Sequence, residues 1–310
     1  MDGVGETLRV DLIPTIDLSA PDPARIDGAL QNAGFLLVTG HGIDPSLPAA
    51  IRDTARGFFR LPGPVKQPYA VKVGGRGWLG PGAEANGYAE GTESPPDLKE
   101  SLSFAAEHAA EHPTGMAPVD ADWFAPNVWP GEIPALRPLL EDYLRAMRAL
   151  SERLLELLAV ALQRPEDFFT RHTTHPTWGF NINWYPGTDT VGVAQPGQFR
   201  IGPHTDFGTV TVLDRQHGKG GLQVFVDGHG WQDAPYDPAA LTVNIGDLMA
   251  RWSDGRWKPG RHRVLPPPAD VPAEELISLV YFYECDPGTD VRGIDSHAYL
   301  RAQLDAITAD

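Results

Sequence analysis

Apolar residues recur at helical spacing in one long stretch near the middle of the chain. Between residues 134 and 162 they follow one another at steps of mostly three and four, which places them on one face of a helix. The residues on this face are Leu140, Leu144, Met147, Leu154, Leu158 and Ala161. The pattern predicts a long scaffold helix, and a short helix is predicted to follow at residues 166–172.

After residue 178 the pattern changes to short runs rich in β-branched and aromatic residues, with Gly, Pro and Asp between them. The predicted strands are residues 179–185, 209–213, 221–226, 241–245, 263–265 and 276–283. Short strands at regular intervals with turn residues between them are typical of a barrel or a jelly roll.

The N-terminal part of the chain is predicted to form a strand, a helix and a second strand. In order, these are residues 13–18, residues 23–33 behind the N-cap Asp22, and residues 34–39; another helix is predicted at residues 48–59. Residues 61–94 are rich in Gly and Pro and are predicted to be a long loop. Such a loop either carries substrate contacts or is a disordered surface excursion, and composition alone favours neither.

The composition indicates a globular protein with an acidic surface. Of the 310 residues, 42% are hydrophobic, which is enough for one large domain or two small ones. The 25 Lys and Arg residues against 41 Asp and Glu residues give a net charge of -16, which a phosphate backbone or an anionic membrane would repel. Nucleic acid and membranes are therefore not expected as partners. Composition does not indicate the oligomeric state.

The sequence also predicts a cytoplasmic location. The N-terminus lacks the charged and apolar regions of a signal peptide, and no run approaches the roughly 18 apolar residues of a membrane span. Cys285 is the single cysteine, so no internal disulfide can form, and this is typical of a reducing compartment. We expect Cys285 to be a small buried apolar residue.

Three residues form the pattern with the most chemical content: His204, Asp206 and, far along the chain, His262. On an extended backbone, side chains two apart point to the same side, so His204 and Asp206 can bind one ion together. Two imidazoles and one carboxylate on one face leave other coordination positions open, which suits an iron(II) oxygenase because a cosubstrate and O2 need those positions. Zinc could bind the same ligands, and isolated surface His and Asp residues would give the same pattern.

The triad lies within a series of short distinctive runs in both halves of the chain. In the C-terminal half these runs are residues 183–186 (NWYP), 202–206 (GPHTD), 220–224 (GGLQV), 243–247 (VNIGD) and 262–264 (HRV), followed by Ser278 ahead of Tyr281 and Phe282. In the N-terminal half they are residues 13–18 (IPTIDL), 34–42 (GFLLVTGHG) and 97–101 (DLKES). In content and order, and over nearly the whole chain, these runs resemble the isopenicillin N synthase-like family of iron(II)- and 2-oxoglutarate-dependent dioxygenases.

The resemblance implies a mixed α+β fold, with a double-stranded β-helix (jelly-roll) core wrapped by N-terminal and central helices. It implies a single oxygenase domain over residues 1–310, with an N-terminal region (1–125), scaffold helices (134–175) and a catalytic core (178–290). Ferrous iron is expected at one mouth of the barrel, held by His204, Asp206 and His262.

The resemblance also implies 2-oxoglutarate and O2 as cosubstrates. In this family the far carboxylate of the keto acid is held by a Tyr, a Ser and an Arg, and Tyr185 and Ser278 match the first two. Asn183 is a further candidate for this site. The Arg is missing, because the position two residues before Ser278 is Leu276. A leucine side chain cannot form the charge-assisted hydrogen bonds that a guanidinium forms with a carboxylate.

Two explanations of Leu276 are open. Another cation reaches the cosubstrate, with Arg215, Arg200 and Arg261 as candidates, or the protein is an oxidase of the same family that does not use 2-oxoglutarate.

The resemblance implies that a small-molecule substrate is hydroxylated, desaturated or cyclised, in secondary metabolism by analogy. The candidate substrate-pocket residues are Phe207, Phe282, Trp252 and Tyr88, each of which could instead be ordinary core packing.

Two rival functions remain. The run from His108 to His112 fits the H-x-x-E-H pattern of zinc peptidases, and His172 and His175 also have ligand-like spacing. For residues 108–112 the simpler interpretation is a solvated segment that ends at Pro113. For His172 and His175 it is helix capping. The second rival is a binding protein that has the same barrel but has lost its activity, and the intact triad argues against it.

Overall fold

The computed structural model describes residues 12–91, 94–107 and 122–308, and its strands form two sheets. In chain order the strands are β1 (Thr15–Asp17), β2 (Phe35–Thr39), β3 (Gly77–Leu79), β4 (Glu100–Ala105), β5 (Trp178–Tyr185), β6 (Ile201–His204), β7 (Val210–Arg215), β8 (Leu222–Val226), β9 (Gly230–Asp233), β10 (Leu241–Ile245), β11 (His262–Val264) and β12 (Leu276–Tyr283). The large sheet has the order β1-β2-β10-β7-β12-β5-β4-β3, and the small sheet has the order β6-β11-β8-β9. Pairing is antiparallel except between β1 and β2.

Seven α-helices lie in the described ranges, and the longest of them packs against the large sheet. They are α1 (Pro23–Asn32), α2 (Ser46–Phe59), α3 (Gly63–Lys66), α4 (Leu136–Ala161), α5 (Thr188–Val191), α6 (Asp247–Trp252) and α7 (Ser296–Ala306). The apolar face of α4 packs against α1, α2 and the strands β7 and β12. This confirms the predicted mixed α+β fold, with a jelly-roll core behind N-terminal and central helices. In the described ranges, no helix is long and apolar enough to cross a membrane.

Strand β12 shows how the large sheet separates the core from the site. One set of its side chains belongs to the core beneath the helices: Ile277, Leu279, Tyr281 and Tyr283. The alternate set faces the space between the two sheets: Leu276, Ser278, Val280 and Phe282. Because side chains alternate along a strand, the same backbone anchors the helices and lines the space where chemistry can occur.

Several predicted elements agree with the structure and others do not. The long helix, the Asp22 cap and the six C-terminal strands are confirmed within a few residues. The predicted helix at residues 166–172 is wrong, because these residues form two single 3-10 turns, Glu166–Phe168 and Thr170–His172. Interpreting residues 61–94 as a loop was also incomplete, since the described part contains α3, β3 and the 3-10 turns Gln67–Tyr69 and Asn86–Glu90.

Other elements were missed because their sequences carry weak signals. β6 contains Gly202 and Pro203, and β9 is polar, so neither looks like a strand. Strand β4 and the helices α6 and α7 were also not predicted. Cys285 is buried as expected, and burial raises the pKa of its thiol to about 12.

Candidate metal centre

Neighbouring strands of the small sheet bring the three predicted ligands together. His204 ends β6 and lies directly opposite His262, the first residue of β11, while Asp206 follows two residues after His204. The two imidazole rings are 4.2 Å apart between centroids, and Nε2 of His204 is 3.8 Å from Oδ1 of Asp206. One donor atom from each residue lies within 4.8 Å of the others, so the three can hold one metal ion.

Hydrogen bonds orient both imidazoles. Nδ1 of His204 is 2.8 Å from the carbonyl oxygen of Gly202, and Nδ1 of His262 is 2.9 Å from that of Gly260. A carbonyl oxygen only accepts, so each Nδ1 carries the proton and each Nε2 keeps its lone pair for a metal.

The carboxylate of Asp206 is oriented in the same way. Its Oδ2 accepts hydrogen bonds from Thr211 Oγ1 at 2.5 Å and from Asn244 Nδ2 at 2.6 Å, which leaves Oδ1 on the side of His204. Thr211 and Asn244 lie on the paired strands β7 and β10 and face each other in register. Sequence reasoning gave neither residue a role, although Asn244 lies in one of the matching runs.

The protonation states suit metal binding. Burial, and then the neighbouring His262, lower the pKa of His204 to about 4, so this imidazole is neutral at pH 7. Burial alone would raise the pKa of Asp206, but the two imidazoles and the hydrogen bonds from Thr211 and Asn244 hold that pKa below its usual value. A neutral imidazole and an ionised carboxylate are the forms that bind metals.

A narrow space between the two sheets, which we call the inner pocket, begins at the triad. Its walls include Asn183, Tyr185, Arg215, Leu276 and Ser278 together with the three triad residues. Burial raises the pKa of the Tyr185 hydroxyl, against side-chain hydrogen bonds with Asn183 and Ser278 that lower it. The predicted cosubstrate residues therefore lie together beside the triad.

The three candidate arginines differ in their surroundings. Arg200 is 1% exposed and already forms an ion pair with Glu274 at 2.8 Å. Arg261 lies over the rings of Phe225 and Trp231. Of the three, Arg215 is the one that lines the inner pocket.

The guanidinium of Arg215 is half-buried, and its charge is incompletely compensated. Its Nη2 donates to the carbonyl oxygens of Ala234 and Pro235, and its charge lies 5.2 Å from the ring centroid of Tyr236. Among the described residues, its buried Nε has no hydrogen-bond partner and no carboxylate pairs with it. Burial lowers the pKa of Arg215, as expected for a cation without a counter-ion. The inner pocket can therefore supply a positive charge that balances the carboxylate of a ligand.

On the other side of the triad is a larger space of about 230 Å³, which we call the outer cavity. Its walls come from residues 73–79, from β4, β5 and α7, and from the segment around the triad. Phe207 and Phe282 line it, as predicted. A cavity of this volume can hold part of a small organic molecule.

Two predicted pocket residues lie elsewhere. Trp252 belongs to the apolar core, where its ring packs edge-on against Phe169 at 5.2 Å and near His172, because α6 turns it away from the triad. Tyr88 is 36% exposed in the 3-10 turn Asn86–Glu90, and it is Asn86 of that turn that lines the cavity.

The outer cavity also contains buried charges that sequence reasoning missed. Lys99 forms an ion pair with Glu84, and both are under 10% exposed. Glu284 is 8% exposed, and burial raises the pKa of its carboxyl to about 8. No spacing rule marks Glu284, because it follows β12 and is brought to the triad only by the pairing of β12 with β7.

The residues of the rival metal motifs do not form a second centre in the described part of the chain. His108 and His112 lie outside the described residues. His172 packs against Trp252, and the backbone nitrogen of His175 donates to Asp286. Within the described ranges, His204, Asp206 and His262 are the group suited to a metal.

The fold and the site together define a non-haem iron oxygenase with a jelly-roll core. Two family models match the chain: the N-terminal domain of the non-haem dioxygenases in morphine synthesis over residues 13–132, and the 2OG-Fe(II) oxygenase superfamily over residues 179–284. The chain belongs to the 2OG-Fe(II) oxygenase superfamily. It is an oxidoreductase, an iron(II)- and 2-oxoglutarate-dependent dioxygenase that acts on small molecules with O2 as cosubstrate.

Relatives agree with this assignment. The chain is 44% identical over 290 residues to validamycin A dioxygenase of Streptomyces hygroscopicus subsp. limoneus, an alignment that covers 90% of this chain and 78% of that protein. It is 31% identical to proline hydroxylase buaE of Petromyces alliaceus, over 90% of this chain and 85% of that protein. The structure of Neurospora crassa T7H with alpha-KG and thymine has a TM-score of 0.78 at 26% identity, and covers 95% of this chain and 96% of that one.

These findings decide between the open alternatives on cosubstrate and activity. The matched family and the relatives favour 2-oxoglutarate over a keto-acid-independent oxidase. They also favour an enzyme over an inactive binding protein and over a zinc peptidase.

Proposed function

We propose that the protein oxidises a C–H bond of a polar small molecule that enters the outer cavity, with iron held by His204, Asp206 and His262. The observation that carries this is the position of the triad, because His204 and Asp206 line both the outer cavity and the inner pocket and His262 lines the inner pocket. In a hydroxylation, one oxygen atom of O2 ends in the product and the other in succinate, while 2-oxoglutarate loses CO2. Iron(II) with these cosubstrates supplies the capacity to remove hydrogen from an unactivated C–H bond.

The chain's own residues orient the reactants and limit water. His204 and His262 present their Nε2 atoms while Gly202 and Gly260 fix the rings. Phe207 and Phe282 give apolar walls next to the triad, which favours the exclusion of water around a reacting carbon. Each of these groups is set by strand pairing before any ligand arrives, so little reorganisation is needed.

The far carboxylate of 2-oxoglutarate is bound by Tyr185, Ser278 and Arg215, with Asn183 supporting Tyr185. Arg215 lies directly opposite Ser278 on the neighbouring strand β7, while Leu276 lies two residues from Ser278 on β12 itself. Directly paired residues and residues two apart share one face of a sheet, so an arginine at position 215 or at 276 reaches the same space. Arg215 thus replaces the arginine that the family resemblance places at 276.

An anaerobic titration of the iron(II) protein with 2-oxoglutarate tests this anchor through the visible charge-transfer band of the chelate. Arg215→Leu should weaken 2-oxoglutarate binding by about 100-fold, because a buried charge-assisted contact is lost. Arg263→Leu, a matched control on β11 where the guanidinium stacks on Trp231, should bind as the wild type does. The double variant Arg215→Leu, Leu276→Arg should regain most of the affinity.

Undiminished binding in Arg215→Leu would exclude this anchor and leave the dioxygenase assignment intact. The activity itself is tested by 2-oxoglutarate-dependent O2 uptake and succinate formation with the compounds named for relatives, validamycin A, homoarginine and proline. Substrate-stimulated succinate with an oxidised product supports the proposal. Loss of succinate formation in Asp206→Ala is the matched control.

Finer properties follow as further proposals. A role in secondary metabolism is supported by the similarity to a validamycin A dioxygenase. The isopenicillin N synthase-like label is supported by the matching runs, a cytoplasmic location by the single cysteine, and the absence of nucleic-acid and membrane partners by the net charge of -16. We propose that residues 1–310 act as a single domain, with regions 1–125, 134–175 and 178–290, because β2 and β4 pair with β10 and β5 in one sheet.

A further inference from the structure

The outer cavity contains an acidic side chain, Glu284, that has no cationic partner among the described residues. Lys99 is paired with Glu84 on one wall, and Arg301 lies over the ring of Trp123 on another. Glu284 also lines the cavity but has a different environment. Among the described residues, no Lys, Arg or His lies within ion-pair distance of its carboxylate.

The carboxyl of Glu284 is held in place through one of its two oxygens. Oε2 accepts a hydrogen bond from the backbone nitrogen of Thr209 at 2.9 Å. Within the described ranges, no donor reaches Oε1, although the side chain is more than nine-tenths buried. Oε1 is not fully enclosed by protein, so it keeps accessible surface in the cavity, where a ligand can supply the partner.

The backbone beside Glu284 makes room for this carboxyl. A Cβ atom at Gly208 would lie 1.7 Å from Oε1 of Glu284, so any other residue at 208 would displace the carboxyl. Gly208 follows Asp206 by two residues, which places the free oxygen of Glu284 in the part of the cavity that adjoins the triad.

The remaining wall near Glu284 suits the carbon skeleton of a polar ligand. Phe282 and Trp178 present apolar ring surface, and Asn181 accepts a hydrogen bond from Ser103 Oγ through Oδ1, so its amide nitrogen is left to donate. An acidic group among aromatic rings is the environment that binds organic cations, since the rings and the carboxylate both attract positive charge.

We propose that Glu284 binds a basic nitrogen of the substrate, an ammonium or guanidinium group, and so determines which C–H bond faces the iron. The proposal rests on the proposed function, because it names the substrate class of the same cavity. A substrate with a cationic nitrogen supplies the missing partner of Oε1. A neutral molecule of the same shape gives the carboxyl of Glu284 no cationic partner. It should therefore bind more weakly than the cation.

The test measures binding to the anaerobic iron(II) protein saturated with 2-oxoglutarate, with cyclohexylammonium and cyclohexanol as probes of similar shape. Isothermal titration calorimetry should give at least about tenfold tighter binding of cyclohexylammonium to the wild type. Glu284→Gln keeps the shape and removes the charge, and it should abolish this preference. Glu156→Gln on α4 is the matched control and should keep it. If the Gln variant does not fold, Glu284→Met must show the same loss.

The charge-transfer band of the 2-oxoglutarate chelate separates this proposal from the proposed function. A missing band in the folded, iron-loaded wild type contradicts the proposed function, whatever the probes do. With the band present, equal binding of the two probes, or no ammonium binding up to about 10 mM, overturns the role of Glu284. A preference that persists in the neutral variants overturns it as well.

Discussion

At the scale of single residues, Asp206 shows how strand pairing prepares a metal ligand. One carboxylate oxygen is fully engaged by Thr211 and Asn244, and the other faces His204. The ligand itself was readable from the His-X-Asp spacing. Its two supporting residues were not, because they lie on other strands and depend on the register between β7 and β10.

The support from Asn244 can be tested by Asn244→Ala. Loss of the hydrogen bond to Oδ2 lets the carboxylate rotate, so iron(II) affinity should fall by about 10- to 100-fold. Competition with a chelator measures this affinity. Thr242→Val, a buried change two residues earlier on β10, is the control and should bind iron normally. Unchanged affinity in Asn244→Ala would contradict the role given to this residue.

His297 should make stability depend on pH. Burial lowers the pKa of His297 to about 4, and its ring nitrogens contact Thr177 Oγ1 and Ser296 Oγ. The unfolded chain takes up this proton below about pH 6.5, while the folded protein does so only near pH 4. The free energy of unfolding should therefore fall as pH decreases between these values, by at most about 3 kcal/mol.

His297→Gln should remove this part of the pH dependence. Urea unfolding near pH 7 and near pH 4.5 gives the free energies for both proteins. The exposed His229→Gln should keep the wild-type dependence. A Gln variant at 297 that loses as much stability on acidification as the wild type would show that His297 contributes nothing to it.

At the scale of elements, the local sequence predicted those helices and caps that interactions between near neighbours in the chain stabilise. The helices α1 and α4 follow apolar periodicity, and in the cap of α1 the Asp22 carboxylate accepts hydrogen bonds from the backbone nitrogens of Ala24 and Arg25. The strands β6 and β9 were not predictable from local sequence, because pairing partners rather than propensity determine them.

The cap of α1 is testable through stability. Asp22→Ala should lower the free energy of unfolding by about 1 kcal/mol, because two backbone donors lose their acceptor. Chemical denaturation measures the change. Asp22→Asn preserves a good capping oxygen and should stay within a few tenths of a kcal/mol of the wild type. If Ala and Asn are equally stable, the cap is unimportant.

At the scale of the whole molecule, the metal joins strands that are distant in sequence. His204 and His262 belong to β6 and β11, and Asn244 and Thr211 connect the triad to the large sheet. Only the folded chain assembles this site, so iron binding should stabilise folding by about 2.7 kcal/mol at a free iron concentration 100 times its dissociation constant. The fold class and triad were predictable and Arg215 was one of three candidate arginines, whereas the choice among these three and the position of Glu284 needed the strand register.

Metal removal tests this linkage. A chelator should lower the Tm of the iron-loaded protein, and Asp206→Ala should start at the lower Tm and not respond to the chelator. Differential scanning calorimetry under anaerobic conditions gives both values. Equal Tm values with and without iron in the wild type would mean that the metal does not contribute to the folded state.

The most direct test of the central claim is an anaerobic titration of iron(II) into the protein in the presence of 2-oxoglutarate, followed by its visible charge-transfer absorption. Three converging side chains with open positions beside them predict a band that saturates at a single iron per chain in the wild type and is absent in Asp206→Ala. A folded wild type that binds iron without the band, or a variant with an undiminished band, would contradict it.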